Sequence, residues 1–276
     1  MILPRLRRRS SPAPIYDAVD DWLSQTAAEA LRRDGFVAVE RLFSATEVQA
    51  VQTLLDRAFE RAMRMPAANA LLVCYPADAP GGWDQIELNY AATLAPALLQ
   101  TAVFRRCTTL ARRLAGPGSH AFDHAIYKAA HNRTETPWHQ DAAFRRWQLP
   151  RPHQLHFWIP LQDVARDGGC MEFLPGSHRR PALRHETVLR ASGRIGLVAA
   201  PDPAARVACP LSAGGLTIHT PATLHCARAN ASDVPRRAWV LQFGLFGETR
   251  LAAKRLAGSL VKLPVGRLRS RPERPA

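Results

Sequence analysis

His153-Gln154-Leu155-His156-Phe157-Trp158-Ile159-Pro160-Leu161 reads as one strand with two different faces. Side chains two apart in a strand project from the same side. Leu155, Phe157, Ile159 and Leu161 therefore share one face, and Gln154, His156 and Trp158 share the other. Ala238 to Phe246 repeats the pattern, with Trp239, Leu241, Phe243 and Leu245 alternating with Val240, Gln242 and Gly244. From Gly116-Pro117-Gly118 onward, such short runs are separated by Gly, Pro and Asp turns. Short strands at this spacing predict a jelly roll, that is, a cupin-like double-stranded β-helix barrel, whose mouth is suited to a metal and a small ligand.

Working outward from that barrel, the first third of the chain reads as mainly helical, giving a mainly β protein with N-terminal helices. Thr26-x-x-Glu29 and Ser44-x-x-Glu47 both fit the capping-box pattern, in which each side chain satisfies an orphan amide at a helix start. Val48, Val51, Leu54, Leu55 and Phe59 lie at helical spacing and predict a helix from about Ala45 to Met63. A third helix is expected over roughly Thr101 to Leu114. Between the first two, Gly35 to Val39 forms a short β run. No internal repeat or second-domain boundary is visible. The expected organisation is one domain over residues 1–257, helical over about 20–116 and barrel over about 120–250, followed by a basic tail at 258–276.

The 276-residue chain is 47% hydrophobic, enough for one substantial core. No apolar run approaches the roughly eighteen residues of a membrane span. Arg5 and Arg7-Arg8-Arg9 are followed by Ser10-Ser11-Pro12-Ala13-Pro14 in place of an apolar segment, which argues against a secretory signal. Cys74, Cys107, Cys170, Cys209 and Cys226 are odd in number and scattered, as expected of free thiols in a reducing cytoplasm. The net charge is +14, of which residues 1–12 carry +4 and residues 250–276 carry +7. The remaining +3 leaves the body nearly balanced. With no base-stacking aromatics among the tail charges, no specific nucleic-acid partner is expected. The expected partner is a small-molecule substrate.

Two segments carry the chemistry. One is Trp138-His139-Gln140-Asp141; the other carries His225, with Arg236 eleven residues later. Read as a strand, the first places His139 and Asp141 on one face, and a histidine from a neighbouring strand completes two imidazoles and a carboxylate. That set suits non-haem Fe(II), because it leaves three coordination positions open. Arg236 offers a bidentate fork to a carboxylate. Cys226 is expected to point away from His225, and Arg237 away from Arg236. His219, six residues before His225, is the rival second histidine.

Further residues stand around these in a definite order. Tyr127-Lys128 precedes Thr136-Pro137-Trp138-His139-Gln140-Asp141. His156-Phe157-Trp158-Ile159-Pro160-Leu161, Asp163, Gly168-Gly169 and Pro175-Gly176-Ser177-His178 follow, and then Gly215, His225, Asn230, Ser232 and Arg236-Arg237. Asp34-Gly35-Phe36-Val37-Ala38-Val39 forms an opening strand. In this order the chain resembles the phytanoyl-CoA dioxygenase family of 2-oxoglutarate- and Fe(II)-dependent oxygenases. The resemblance implies His139, Asp141 and His225 as metal ligands, its spacing favouring His225 over His219. It implies Arg236 on the remote carboxylate of 2-oxoglutarate, with Trp158 and Thr136 around that co-substrate; Lys128 is a further candidate for binding it, expected either at the site or simply on a strand face. Where many relatives carry a small hydroxyl residue two positions after the distal histidine, this chain has Ala227.

The activity so implied is dioxygenation by Fe(II), 2-oxoglutarate and O2, hydroxylating or otherwise oxidising a C–H bond of a small organic molecule, with succinate and CO2 released. Asp141 argues against halogenation, because the resemblance implies that halogenating relatives lack this carboxylate. Two other readings are a zinc or manganese isomerase on the same barrel and a basic binding protein with a structural barrel. Trp83, Asp84, Asn89, Tyr90, Phe144, Arg145 and Trp147 are candidate walls of a substrate pocket.

Overall fold

The protein is described by a computed structural model covering residues 15–17, 25–64, 71–77, 82–116, 119–144, 154–181, 183, 185 and 202–244. Eight strands form the larger sheet. In chain order they are β1 (Ile15–Asp17), β2 (Phe36–Glu40), β3 (Leu72–Pro76), β4 (Trp83–Asn89), β5 (Ser119–Lys128), β7 (Leu155–Pro160), β10 (Leu216–His219) and β12 (Arg236–Gly244). They lie in the order β1-β2-β10-β7-β12-β5-β4-β3. The smaller sheet orders β6 (Thr136–His139), β11 (His225–Ala227), β8 (Met171–Phe173) and β9 (Val207–Cys209) as β6-β11-β8-β9. Apart from the parallel β1–β2 pair, the ladders are antiparallel.

The alternation read from β7 and β12 separates two cores. Leu155, Phe157, Ile159, Trp239, Leu241 and Phe243 pack outward against the helical layer, meeting Val51 and Leu55 of α2 (Ala45–Arg64), Ala91 of the one-turn α3 (Ala91–Leu94), and Val103 and Leu110 of α4 (Ala102–Ala115). The opposite face carries Phe36, Ala38, Trp158, Ala238 and Val240, which pack with Met171, Phe173, Cys209 and Ala227 of the smaller sheet. Helices thus cover one side of the large sheet, and the small sheet closes the other into the expected jelly roll. The polar side chains of the inner face, His156 and Arg236 among them, are buried between the sheets.

The helix boundaries follow from capping. Ser44 accepts from the Glu47 amide, and the Glu47 carboxylate accepts from the Ser44 amide at 2.8 Å, closing the predicted box on α2. Thr101 caps α4 through Phe104. The other box is corrected: α1 (Gln25–Asp34) already includes Thr26, which is therefore not its cap. The β run begins at Phe36 because Gly35 has a φ of +86°. A Cβ at Gly35 would lie 2.4 Å from His178 Nδ1 and 2.5 Å from Thr223 Oγ1, so only glycine lets these segments meet.

The first third is mainly helical as read, but it holds more strands than the one expected at Gly35 to Val39. This region supplies β1 to β4, and the β3–β4 hairpin extends the large sheet beyond β5. Gln85 and Glu87 of β4 are buried, so polar residues occupy positions where hydrophobic alternation would have announced a strand. Among the described residues, no helix is long and apolar enough to cross a membrane. The 258–276 tail lies outside the described residues.

Candidate functional site

His139 and His225 are direct cross-strand partners in the β6–β11 ladder, with ring centroids 4.2 Å apart. Both are anchored in the same way. His139 Nδ1 meets the Pro137 carbonyl at 2.7 Å, and His225 Nδ1 meets the Thr223 carbonyl at 2.9 Å. Each bond is to the carbonyl two residues earlier and leaves Nε2 facing inward, the arrangement that orients metal-binding imidazoles.

Asp141 reaches these rings by a route different from the one expected. β6 ends at His139, and Asp141 opens a 3-10 turn, Asp141–Phe144, so the two do not share a strand face. The turn is set by Gln140, which is almost fully buried. Its side chain accepts from the Leu183 amide at 2.9 Å and donates to the Ala222 carbonyl at 2.7 Å, while its own amide donates to His185 Nε2. Asp141 Oδ1 lies 3.4 Å from His139 Nε2, and Oδ2 lies 3.6 Å from His225 Nε2.

Two further imidazoles face the same carboxylate. His156 Nδ1 is 2.6 Å from Asp141 Oδ2 and His219 Nε2 is 3.4 Å from it, the two histidines being cross-strand partners on β7 and β10. Among the described residues, two trios thus have ligand atoms within 4.8 Å of one another: His139, Asp141 and His225, and Asp141, His156 and His219. Burial alone would raise the Asp141 carboxyl. The His156 and His225 imidazoles and the hydrogen bonds from His139 and His156 instead hold it well below its usual 3.8. Burial, with His139 and His219 beside it, pushes His225 well below 6.5 and keeps it neutral, the form in which an imidazole binds a metal. Burial likewise lowers His219; at His139 burial is again the largest single influence, but the hydrogen bond and charge of Asp141 together with the Pro137 carbonyl overcome it and raise this imidazole.

Arg236 opens β12, opposite Lys128 on β5. It is 2% exposed, and among the described residues none of its three side-chain nitrogens has a hydrogen-bond partner. Its guanidinium carbon lies 5.6 Å from the Trp158 ring centroid, and burial pushes it down to about 10. A buried charge with no partner is costly, so the guanidinium is left able to receive an anion. Trp158 Nε1 and Thr217 Oγ1, on cross-strand partners of β7 and β10, are buried without partners as well. Thr217 escaped the sequence reading, because one threonine in a short apolar strand carries no signal of its own.

The remaining expected residues divide. Lys128 is fully buried beside Arg236, but its ammonium donates to the carbonyls of Ala227 (3.1 Å) and Arg228 (2.6 Å). Burial, then the charge of Arg236, hold it well below 10.5. Thr136 opens β6 half-buried opposite Ala227. Arg237 faces the other way, its Nε 3.6 Å from Asp56. Cys226 packs with Trp138 and Leu224. Asp84 is a structural group, accepting from the Arg133 amide and the Thr134 hydroxyl. Asn89 pairs with His124 across β4–β5, Tyr90 sits edge-on to Phe122, and Trp83 is exposed. Arg145 and Trp147 lie outside the described residues, and of Phe144 only the backbone is described.

The pattern of the family described as Phytanoyl-CoA dioxygenase (PhyH) matches residues 31–238, spanning every strand from β2 to β11. The chain belongs to the phytanoyl-CoA dioxygenase family. It is thereby a member of a family of non-haem iron, 2-oxoglutarate-dependent oxygenases, whose cofactors are Fe(II), 2-oxoglutarate and O2. Phytanoyl-CoA dioxygenase domain-containing protein 1 of Mus musculus is 33% identical over 123 residues, which are 42% of this chain. The match spans 41% of that relative's length. Among solved structures, EvdO2 from Micromonospora carbonacea var. aurantiaca, complexed with 2-oxoglutarate, superposes with a TM-score of 0.65 at 28% identity. The match covers 81% of this chain and 91% of EvdO2. The epimerase SnoN, in complex with Fe3+, alpha ketoglutarate and nogalamycin RO, gives 0.61 at 26% identity, covering 80% and 83%.

Proposed function

We propose that this chain is a 2-oxoglutarate- and Fe(II)-dependent dioxygenase that hydroxylates a C–H bond of a small organic molecule. In balance, substrate R–H, 2-oxoglutarate and O2 give R–OH, succinate and CO2. One observation carries the reading: a fully buried guanidinium with three unpartnered nitrogens lines the same interior as a His-Asp-His trio. A dicarboxylic keto acid has one end for each. EvdO2 holds 2-oxoglutarate and SnoN holds iron with alpha ketoglutarate, which supports the assignment.

On this reading His139 Nε2, an Asp141 oxygen and His225 Nε2 hold the iron. The backbone carbonyls of Pro137 and Thr223 fix the two rings, so each ligand is oriented before the metal arrives. Arg236 grips the remote carboxylate through its fork, with Trp158 beneath it and the Thr217 hydroxyl as a further donor. Lys128 pins the small sheet to the large one beside that grip. The close-packed apolar core around Phe36, Phe173, Ala227 and Val240 excludes water, which strengthens the charge-assisted contact. When bound, iron supplies the O2 activation and oxidative decarboxylation that side chains cannot perform. With Asp141 present, a carboxylate fills the position a halide would need, so hydroxylation is the favoured outcome.

The test is anaerobic addition of 2-oxoglutarate to the Fe(II)-loaded protein, which is expected to give a weak visible charge-transfer band. His139→Ala and His225→Ala should each abolish it. A band that survives both substitutions, or protein that binds Fe(II) but never forms succinate under air, would rule the reading out.

A further inference from the structure

Asp141 offers two oxygens, and the fold treats them differently. Oδ1 faces His139 Nε2 at 3.4 Å. Oδ2 receives His156 Nδ1 at 2.6 Å, its shortest contact, with His219 Nε2 at 3.4 Å and His225 Nε2 at 3.6 Å. His156 is 1% exposed, and the Phe173 and His219 rings pack together beside it, 5.3 Å apart. An ionised carboxylate can only accept, so His156 must carry its proton on Nδ1, and a charge-assisted bond of this length is strong.

We infer that His156 is a positioning residue that ties down Asp141 Oδ2, so that Asp141 meets the metal through Oδ1 alone. The inference rests on the metal reading given above and extends it. A carboxylate held by one oxygen occupies one coordination position. Released, it is free to rotate and offer both oxygens, taking a place that a chelating keto acid or O2 requires. The two anchors differ in kind. His139 and His225 are oriented by main-chain carbonyls, whereas the acidic ligand, carried on a turn, is oriented by a side chain of β7. Nothing in the chain order brings His156 to Asp141; the pairing arises only when β7 lies across the barrel from that turn. His219 supports the same oxygen from the neighbouring strand at longer range.

The inference is tested by replacing His156 in the full chain and titrating Fe(II) anaerobically, with Co(II) absorption reporting coordination number. His156→Asn keeps an N–H near the Nδ1 position. His156→Gln moves it one methylene away, and His156→Leu removes it. The Asn variant is expected to bind within a few-fold of the unaltered protein. The Gln and Leu variants should bind about 10- to 100-fold more weakly, the usual loss when a metal ligand's outer partner is removed. Their Co(II) spectra should also shift toward a higher coordination number. Because Asn and Gln are both polar and of similar size, the contrast between them holds even if the Leu variant fails to fold. Equal affinities and spectra for Asn and Gln would overturn the inference. If His156 and His219 variants lose metal altogether while His139→Ala and His225→Ala retain it, the ligand assignment itself fails, and the inference fails with it.

Discussion

Arg236 and Arg237 are adjacent and chemically identical, yet β12 sends them to opposite worlds. Arg236 is buried without a partner, while Arg237 meets Asp56 on α2 near the surface. Arg236→Ala is expected to raise the KM for 2-oxoglutarate about 10- to 150-fold, the worth of a charge-assisted contact of roughly 1.5–3 kcal/mol. Arg237→Ala should leave it nearly unchanged. The check is steady-state succinate formation, and equal effects would mean that the arginine fork does not hold the co-substrate. At this scale spacing along the chain singled out His139, Asp141, His225 and Arg236, and the fold brings ligand atoms of the first three within 4.8 Å of one another. His156 and Thr217 did not advertise themselves, because their partners come from other strands and no spacing along the chain encodes a cross-barrel contact. His156 was visible only as a polar member of β7's inner face.

At the scale of elements, periodicity served where one face is apolar and failed where it is not. β7, α2 and α4 fall within a residue or two of their expected bounds, and β12 begins two residues before its expected start, Leu245 and Phe246 lying outside the described residues. β4 was missed because Gln85 and Glu87 occupy its inward positions. The turn carrying Asp141 was misread as strand because Gln140, buried like a strand residue, spends its hydrogen bonds on Leu183, Ala222 and His185 instead of on a ladder. The capping box on α2 was legible and carries a stability consequence. Ser44→Ala should cost about 1 kcal/mol, or roughly 2–4 °C in Tm for a chain of this size. Glu47 also pairs with Arg106 of α4, so the cap holds the first turn of α2 against its neighbour. A melting curve indistinguishable from that of the unaltered protein would show that the cap is idle.

For the whole molecule, the buried cluster of histidines around one carboxylate makes stability depend on pH. Burial depresses His225 and His219 below 6.5, so on acidification the unfolded chain takes up protons first. Their contribution is complete above about pH 6.5 and is lost progressively as pH falls below it toward their lowered folded values. His139, which is raised, acts in the opposite sense, but alone. Asp141 adds a second loss only at much lower pH, below 3.8, because its folded value is depressed. The metal-free protein should therefore melt at progressively lower temperature from pH 7.5 to 5.5, and a flat profile over that interval would contradict the buried, neutral state of these rings.

Lys128 has a consequence for anyone handling the protein. The chain holds 37 lysines and arginines, but only three are lysines: Lys128, Lys254 and Lys262. The first is sealed between the two sheets, its nitrogen committed to the carbonyls of Ala227 and Arg228. Amine-directed fluorophores, cross-linkers and coupling resins thus find no accessible lysine among the described residues of the folded protein. Conjugation by that chemistry leaves the barrel unmarked. A label recovered on Lys128 marks a molecule whose sheets had come apart when the reagent reached it.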